Sequence, residues 1–342
     1  MARRKYVEHI RVLSLAFAFA WLTMACGCEK AQPKPALKPM NIALFNWVGY
    51  GPFYLGKDKG FFEKEGIDLT IVTEDMDSQR QEAFKSGMLD SASGTIDLLV
   101  VKRAQDTPVV SVCELDHSAG SDGIVAAEGI ETFEQLVGKR VALARGDSGE
   151  AFLSYLFHIK GLPLDKVKMV PGDPENISQI FLDGASDAVA TWEPELSRAL
   201  ARPGAHIIAS TKEYPDIIID TLDVREDIVK NDPEKVKALM RGWFSSVNYY
   251  KLNPIEASVI IAPRFHMTPE EYRKSVQGLR WFGYNEQKKL EDDRHNIGVF
   301  DTISSIYFER GRIPKKPSAE EAINTELFDT LYPPSDQRQS LP

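Results

Sequence analysis

Ser148 lies in a short segment, Gly146–Gly149, whose residue types could serve catalysis or ligand binding. A nucleophilic serine needs a general base aimed at its hydroxyl, and none of the six histidines lies in a recognisable base motif. The same segment opens a predicted helix, whose N-terminus offers free N–H groups and partial positive charge to a small ligand. We therefore interpret Gly146 and Ser148 as ligand-binding residues rather than as part of a catalytic centre.

Several acidic residues follow predicted strands, and carboxylates so placed could perform acid–base chemistry, as in a glycosidase. The sequence gives no indication that any two of them are paired, which such chemistry requires. We interpret them as residues that cap helices, brace crossings between domains or bind a ligand. They are Asp116, Asp122, Asp173, Glu193 and Asp220.

Two tryptophans, Trp47 and Trp192, also stand just beyond predicted strands. A tryptophan in this position is either a lid over the core or an aromatic wall of a ligand pocket. For Trp47 we favour contact with a ligand. Trp243 and Trp281 fall on helical stripes and are predicted to lie in the core.

No cofactor or metal site is predicted. The glycine-rich run GYGPFYLG has Tyr54 where a dinucleotide-binding loop needs its third glycine, and no phosphate-binding G-x-x-x-x-G-K-[ST] loop occurs. The histidines are scattered, and H-E-x-x-H is absent.

Strand-like and helix-like segments alternate from Asn41 to Ser210, after which the chain becomes mainly helical. This order predicts an α/β protein with two mainly parallel sheets flanked by helices. About 300 residues exceed what one core usually serves, so two lobes are expected. Ligands of such sheets bind beyond the carboxyl ends of the strands, which places a site in the cleft between the lobes.

The N-terminus predicts export. Arg3, Arg4, Lys5 and Arg11 precede an apolar run over residues 12–22, which is too short to span a bilayer and is typical of a signal peptide. Ala25-Cys26 and Gly27-Cys28 both resemble the lipidation site of bacterial lipoproteins, so residues 1–27 are predicted to be a signal peptide cleaved before Cys26 or Cys28. Residues 28–39 read as a proline-rich tether to the membrane, which would anchor the protein facing the periplasm or the cell exterior.

The charge balance excludes nucleic acid as a partner. The chain carries 41 basic and 50 acidic residues, for a net charge of −9, and loss of residues 1–25 leaves −12. Phosphate binding requires a basic surface instead. Cys113 is the one cysteine outside the export region, and its apolar surroundings predict a buried core thiol.

Six blocks, in order along nearly the whole mature chain, resemble the nitrate/sulfonate/taurine-type periplasmic binding proteins. They are NWVGYGPFYLGKDKGFFEKEGIDLTIV (46–72), SGMLDSASGTIDLL (86–99), DHSAGSDGIVA (116–126), GKRVALARGDSGEAFL (138–153), DGASDAVATWEPELS (183–197) and IIIDTLDVREDIVKNDPEKVKAL (217–239).

The resemblance implies a class II binding protein that closes on a small molecule and delivers it to the permease and ATPase of an ABC importer. Lobe one would comprise residues 40–122 and 216–335, lobe two residues 123–215, and residues 336–342 a loose tail. A non-enzymatic monomer is expected. Ligand contacts carried over by position are Trp47, Tyr50, Gly51, Gly94, Thr95, Asp116, Ser118, Gly146, Ser148, Trp192 and Glu193.

The resemblance leaves the ligand open. A sulfonate or nitrate site should combine helix N-termini with arginine or lysine, and Arg145 is the one cation near the matched loops. Asp116 and Glu193 suit instead a small amine, and a neutral aminopyrimidine, as in related thiamine-precursor binders, fits about as well. The cysteine-rich motif of pyrimidine-synthesising relatives is absent, which disfavours an enzyme.

Overall fold

Two β-sheets, each covered by helices on both faces, form the frame of the protein. The structure is a computed structural model that describes residues 36–73 and 77–332, and the described residues from Leu37 onward form one compact unit. No helix among them is long and apolar enough to cross a membrane. The predicted signal peptide, Cys26, Cys28 and the loose tail lie outside the described residues.

The first sheet has six strands in the order β11-β4-β10-β3-β1-β2. Its strands are β1 (Lys38–Leu44), β2 (Ile67–Thr73), β3 (Ser91–Thr95), β4 (Val109–Ser118), β10 (Ile219–Arg225) and β11 (Leu279–Trp281). The second sheet has the order β7-β6-β8-β5-β9. Its strands are β5 (Asp122–Ala126), β6 (Arg140–Leu143), β7 (Lys168–Pro171), β8 (Ala188–Trp192) and β9 (His206–Ser210).

Both sheets are mixed, which corrects the expectation of mainly parallel sheets. In the first sheet β1 pairs in parallel with β2 and β3, whereas β10 runs antiparallel to β3 and β4. In the second sheet β5 runs antiparallel to both β8 and β9. The cause is the chain path: β4 leads into β5 of the other sheet and β9 leads back to β10, so outgoing and returning strands lie side by side in opposite directions.

Fifteen α-helices occur among the described residues. They are α1 (Gly51–Asp58), α2 (Phe61–Lys64), α3 (Asp77–Lys85), α4 (Ile96–Ala104), α5 (Ser148–Ile159), α6 (Ile177–Leu182), α7 (Glu195–Ala199), α8 (Glu226–Asn231), α9 (Pro233–Leu252), α10 (Pro254–Ile261), α11 (Pro269–Ser275), α12 (Tyr284–Asp293), α13 (His295–Glu309), α14 (Ala319–Ala322) and α15 (Glu326–Asp329).

Local sequence signals explain several helix ends. The Asp232 carboxylate accepts the Lys235 backbone N–H at the start of α9, with Pro233 in the first turn. Thr268 forms the capping box of α11 with Glu271. Thr95 precedes α4, but its hydroxyl does not cap the helix. β1 begins at Lys38, within the predicted tether, because it pairs there with β2.

The core divides by sheet face. On the first sheet, one face packs against α1 and α9, whose Leu239 and Trp243 are fully buried, and the other packs against α4 and α13. On the second sheet, Phe152 and Leu156 of α5 are fully buried. Cys113 is buried in the first-sheet core. The chain order of strands and helices therefore gives two separately packed layers joined by two crossings.

We predict that Gly242→Ala destabilises the protein although alanine favours helices. A Cβ at Gly242, inside α9, would collide with the Phe62 ring. Such overpacking costs about 1–3 kcal/mol, more than the ~1 kcal/mol gained in helix propensity. The matched control is Gly298→Ala in α13, where a Cβ meets no atom within 4 Å, so the variant should gain stability. Urea denaturation measures both, and equal stabilisation by the two substitutions would contradict the packing described.

Candidate functional site

The loop after β1 is built to hold two aromatic side chains at the end of the first sheet. Val48–Tyr50 form a 3₁₀ turn that leads directly into α1, whose first turn contains Pro52. Trp47 is 7% exposed and Tyr50 1% exposed. The indole N–H of Trp281 on β11 donates to the Gly49 carbonyl at 2.6 Å and fixes the loop against the sheet. Both predicted aromatic residues are therefore held rigidly.

Asp116 and Asp220 face each other beside this loop. They are direct partners in the antiparallel pairing of β4 with β10, and Asp220 is also the partner of Thr95 on β3. Directly opposed side chains in such a pair lie about 5 Å apart at Cβ. Asp116 is fully buried and Asp220 is 3% exposed. The Tyr50 hydroxyl donates a hydrogen bond to Asp220 Oδ1.

The Asp116 carboxyl has no hydrogen-bond partner of good geometry at either oxygen among the described residues. Trp47 Nε1 is similarly orphaned. A Cβ at Gly49 would lie 2.6 Å from Asp116 Oδ2 and would also collide with Trp47 Nε1, so the two groups converge on one point. Burial raises the pKa of Asp116 to about 7; His117 and the nearby indole oppose the shift, and Asp122 adds to it.

Burial also raises the pKa of Asp220, well above the usual range for a carboxyl, and the neighbouring Asp116 adds to that shift. The hydrogen bond from Tyr50 opposes it. The pKa of Tyr50 is itself raised, first by burial and then by Asp220. Two opposed carboxyls in a dry environment cannot both carry charge cheaply, so the pair retains protons at a pH where an exposed aspartate would be ionised.

The second sheet contributes a serine and a third buried carboxyl. Asp147 is the N-cap of α5 and accepts the Gly149 N–H at 3.0 Å, which makes Ser148 the first helical residue. The Ser148 hydroxyl donates to Asp122 Oδ1 at 2.7 Å. Burial raises the pKa of Asp122 to about 6, against hydrogen bonds from Ser118 and Ser148. The predicted polar clamp at this helix start thus already holds a carboxyl of the same sheet.

Trp192 reaches from the second sheet to the first. Its half-buried ring, at the end of β8, packs against the core cluster that contains Trp47 and Tyr50. The next residue, Glu193, points to α7 instead, where its carboxylate accepts the Ser197 hydroxyl at 2.7 Å and the Ser197 backbone N–H at 3.2 Å. Of these two predicted ligand residues, Trp192 spans the boundary between sheets, whereas Glu193 serves local structure.

Hydrogen bonds join the two crossings between the sheets, one from β4 to β5 and the other from β9 to β10. Ser118, which ends β4, pairs its hydroxyl with that of Thr211 at 2.7 Å, and the same Thr211 oxygen accepts the Gly120 N–H at 2.8 Å. Ser118 was predicted as a ligand contact; its hydroxyl ties the outgoing crossing to the returning one. Thr95 Oγ1, by contrast, is buried without a hydrogen-bond partner among the described residues and remains available.

The three predicted glycines have different surroundings. The Gly51 Cα faces the Tyr272 hydroxyl, so a side chain there would collide with the core. A Cβ at Gly94 would lie 3.3 Å from Lys102 Nζ. Gly146 has φ of 81°, which favours glycine, and its N–H donates to Glu150 Oε2 at 2.7 Å. Packing and backbone geometry account for all three, and direct ligand contact stays a prediction.

Arg80 was missed by the sequence analysis, which named Arg145 as the one nearby cation. Arg145 is exposed, whereas Arg80 on α3 is fully buried where β1 and β3 end. Its guanidinium lies 3.7 Å from the centre of the Phe45 ring and donates to the Ala43 carbonyl at 3.2 Å. The available signal was spacing: Arg80 stands four residues before the buried Phe84, on the same helix face.

A surface groove of about 530 Å³ lies away from this cluster. Its lining residues are Val110, Glu226, Val229, Lys230, Pro233, Lys237, Asn324, Glu326, Leu327 and Thr330. None of them is a predicted ligand residue. Among the described residues no group of three or more histidine, cysteine, aspartate or glutamate side chains could hold a metal ion. The candidate site is therefore the cluster of Trp47, Tyr50, Asp116 and Asp220 with Asp122, Ser148 and Trp192.

We predict that Asp116→Asn stabilises the ligand-free protein, and more so at pH 8 than at pH 5. Because the pKa of Asp116 is raised in the folded state, the folded state binds more protons than the unfolded state between about pH 4 and pH 7. Stability is consequently lost as pH rises through this window, and asparagine removes that loss. The difference should be on the order of 2–4 kcal/mol.

Thermal and urea denaturation across this pH range measure the effect, with Asp173→Asn, an exposed aspartate, as the matched control. A pH profile for Asp116→Asn that parallels the unsubstituted protein would refute the assignment of a raised pKa to Asp116.

Known proteins share both the sequence and the fold of this chain. A Brucella abortus protein named as a binding protein is 27% identical over 229 residues, covering 64% of this chain and 70% of its own. A Bacillus subtilis protein named as an aliphatic-sulfonates-binding protein is 24% identical over 72% of this chain and 76% of its own. A yeast relative, from Saccharomyces cerevisiae, is named 4-amino-5-hydroxymethyl-2-methylpyrimidine phosphate synthase and is 24% identical over 63% of this chain and 68% of its own.

Among solved structures, the periplasmic aliphatic sulphonate binding protein of Escherichia coli matches with a TM-score of 0.71 and 16% identity, over 86% of this chain and 93% of that one. The periplasmic nitrate-binding protein of Synechocystis matches with a TM-score of 0.68 and 14% identity, over 87% and 89%. These likenesses confirm the predicted binding-protein fold. The model of the family described as NMT1/THI5 like matches residues 47–257, and the chain belongs to that family.

Proposed function

We propose that this protein is the solute-binding component of an ABC importer, which captures a small molecule between two lobes and delivers it to a permease with its ATPase. The observation that carries the proposal is the cluster at the junction of the sheets. Trp47, Tyr50 and Asp116 come from the first sheet, and Ser148 and Trp192 from the second. The names of the Brucella, Bacillus and Escherichia proteins support it.

Closure of the lobes is the proposed working motion. Lobe one is proposed to comprise residues 40–122 and 216–335, and lobe two residues 123–215. A ligand that contacts both lobes binds the closed form more tightly than the open form and so shifts the equilibrium towards closure. The tie between Ser118 and Thr211 holds the two crossings together while the lobes move about them.

The proposed ligand by family likeness is a sulfonate, taurine or nitrate. The names of the Bacillus, Escherichia and Synechocystis proteins support this class. The second candidate is a small amine or an aminopyrimidine. It is favoured by the unpartnered Asp116 carboxyl and by the pyrimidine compound in the name of the yeast relative.

Binding without turnover is part of the proposal. In a periplasmic hydrolase, Ser148 would need a base, and its hydroxyl is instead engaged with the Asp122 carboxyl at 2.7 Å. The histidine nearest to the cluster in sequence, His117, pairs with Glu114 and with Asp216 at 2.7 Å. These pairings favour a binding role for the region around Ser148.

Export and anchoring complete the proposed function. We propose that the chain is exported and carries a lipid on Cys26 or Cys28, which would hold a monomeric binding protein at the membrane surface beside its permease. The apolar segment and the small residues before each cysteine support this placement.

A thermal-shift screen of the chain from Leu37 onward tests the binding function. The panel is taurine, alkanesulfonates, nitrate, bicarbonate, aminopyrimidines and small amines. One class should raise the melting temperature in a dose-dependent way, because a ligand that binds only the native state stabilises it by mass action. Trp47→Ala should abolish this ligand-induced shift. The control, Trp243→Phe in the core, should lower the melting temperature of the ligand-free protein but retain the ligand-induced shift. Absence of any shift across the panel would argue against the proposal.

Metabolic labelling with a clickable fatty acid tests the lipid anchor in full-length protein expressed in a bacterium. We expect labelling that is lost on substitution of one cysteine of the pair, Cys26→Ser or Cys28→Ser, because the lipid is attached to the first residue after cleavage. Cys113→Ser is the control, since Cys113 is buried in the core, and it should keep the label. Labelling that survives the double substitution would rule out these sites.

A further inference from the structure

The opposed carboxyls of Asp116 and Asp220 form a site for a positive charge. They are register partners on β4 and β10, both at least 97% buried. Like charges directly opposite each other across strands are destabilising, and a buried carboxylate without a partner costs more still. In the ligand-free protein the pair can escape this cost by keeping a proton. In the liganded protein a cation can replace that proton.

The same strand shows how such a carboxyl is otherwise satisfied. Three residues along β10, Asp223 is also fully buried, and it is paired with the buried Lys102 ammonium at 3.1 Å. Asp116 has no such partner among the described residues. Within the described part of the chain, an internal cation is therefore ion-paired with one buried aspartate of this sheet, whereas no lysine or arginine is ion-paired with Asp116.

A second, independent observation points to a ligand at this place. Trp47 Nε1 is a buried donor without a hydrogen-bond partner among the described residues, and it converges with Asp116 Oδ2 beside Gly49. The carboxylate can neutralise an ammonium or amidinium group, and the indole N–H calls for an acceptor atom on the same ligand, which taurine and an aminopyrimidine both carry.

We propose that this protein binds the positively charged, N–H-bearing end of its ligand at Asp116 and Asp220, and that the ligand displaces a proton from this carboxyl pair on binding. The inference rests on the proposed binding function and specifies it. An amine, a protonated aminopyrimidine and the ammonium end of taurine share the required chemistry. Nitrate and unsubstituted alkanesulfonates lack it. The proton leaves the carboxyl for solvent, and the ligand cation takes its place in an ion pair.

The surroundings of the pair favour this exchange near neutral pH. Titratable groups from the 3₁₀ turn, α4, β4, β5 and α11 act on the two carboxyls, and these are Tyr50, Asp97, His117, Asp122 and Tyr272. Of these, His117 is the one that can be positive, and it already lies between Glu114 and Asp216. The pKa of Asp116, raised to about 7 by burial, places the proton loss in the physiological range.

Isothermal titration calorimetry of the chain from Leu37 onward tests the inference with defined probes. They are taurine, ethylamine and 4-amino-2-methylpyrimidine, with ethanesulfonate and nitrate as probes that lack the cationic end. For taurine and ethylamine, which carry an ammonium group throughout this pH range, repeating the titration at pH 6 in buffers of different ionisation enthalpy should reveal release of about one proton. Affinity should fall roughly tenfold per pH unit below the pKa of the pair, as linkage of one proton requires.

Two variants locate the effect. Asp116→Asn should weaken the cationic probe at least tenfold at pH 7.5 and abolish proton release, and Asp173→Asn should change neither. Proton release by the unsubstituted protein keeps the test decisive if Asp116→Asn fails to fold. Binding of ethanesulfonate or nitrate, but of no cationic probe, would overturn this inference and leave the binding function intact. Failure of every probe to bind would count against both.

Discussion

The antiparallel contact between β4 and β10 is the constraint on which the site depends. β4 carries the chain towards the second sheet and β10 receives it on return, so the two strands lie together in the first sheet. Their register sets Asp116 opposite Asp220. The same geometry brings Ser118 to Thr211, where the crossings are hydrogen-bonded to each other. This one strand pairing therefore positions the two crossings between the sheets, and it also determines the charges that lie beside them.

Loss of water around the buried carboxyls governs those electrostatics. Burial is the largest cause of the raised pKa of Asp116, Asp122 and Asp220. Hydroxyl donors such as Tyr50 and Ser148 relieve part of the cost for two of the three, but a neutral hydroxyl cannot balance a full charge. Asp122 also adds to the raised pKa of both Asp116 and Asp220. The cationic ligand that we propose would supply the missing charge.

Much of the frame could be predicted from the sequence because it follows from local signals. The predicted alternation of strands and helices from Asn41 to Ser210 matches the order of elements, and Trp243 lies in the core as predicted. The family and the binding-protein fold followed from the ordered blocks. The direction of the strands could not be predicted in this way. Whether β10 runs parallel or antiparallel to its neighbours depends on where the chain returns to the first sheet, which is a non-local property.

The site was less predictable for the same reason. Trp47, Tyr50, Asp116, Ser148 and Trp192 could be named from their positions after strands or at a helix start, and the structure gathers them. The hydrogen-bond partners of these side chains could not be predicted from the sequence. The turning of Ser148 towards Asp122 and of Glu193 towards Ser197 are outcomes of packing between segments. Burial of Arg80 depends on the approach of α3 to two strand ends, which spacing on one helix only hints at.

The likeness to sulfonate- and nitrate-binding structures and the acidic character of the site are compatible once backbone and side chains are considered separately. A TM-score near 0.7 at about 15% identity means that the backbone is shared while most side chains differ. The proposed lobe closure would depend on the backbone, through the crossings and their hydrogen bonds. Charge selectivity would depend on a few side chains at strand ends, such as that of Asp116. The fold therefore supports the proposed capture of a ligand by lobe closure. The side chains at the junction of the sheets are separate evidence for the charge of that ligand.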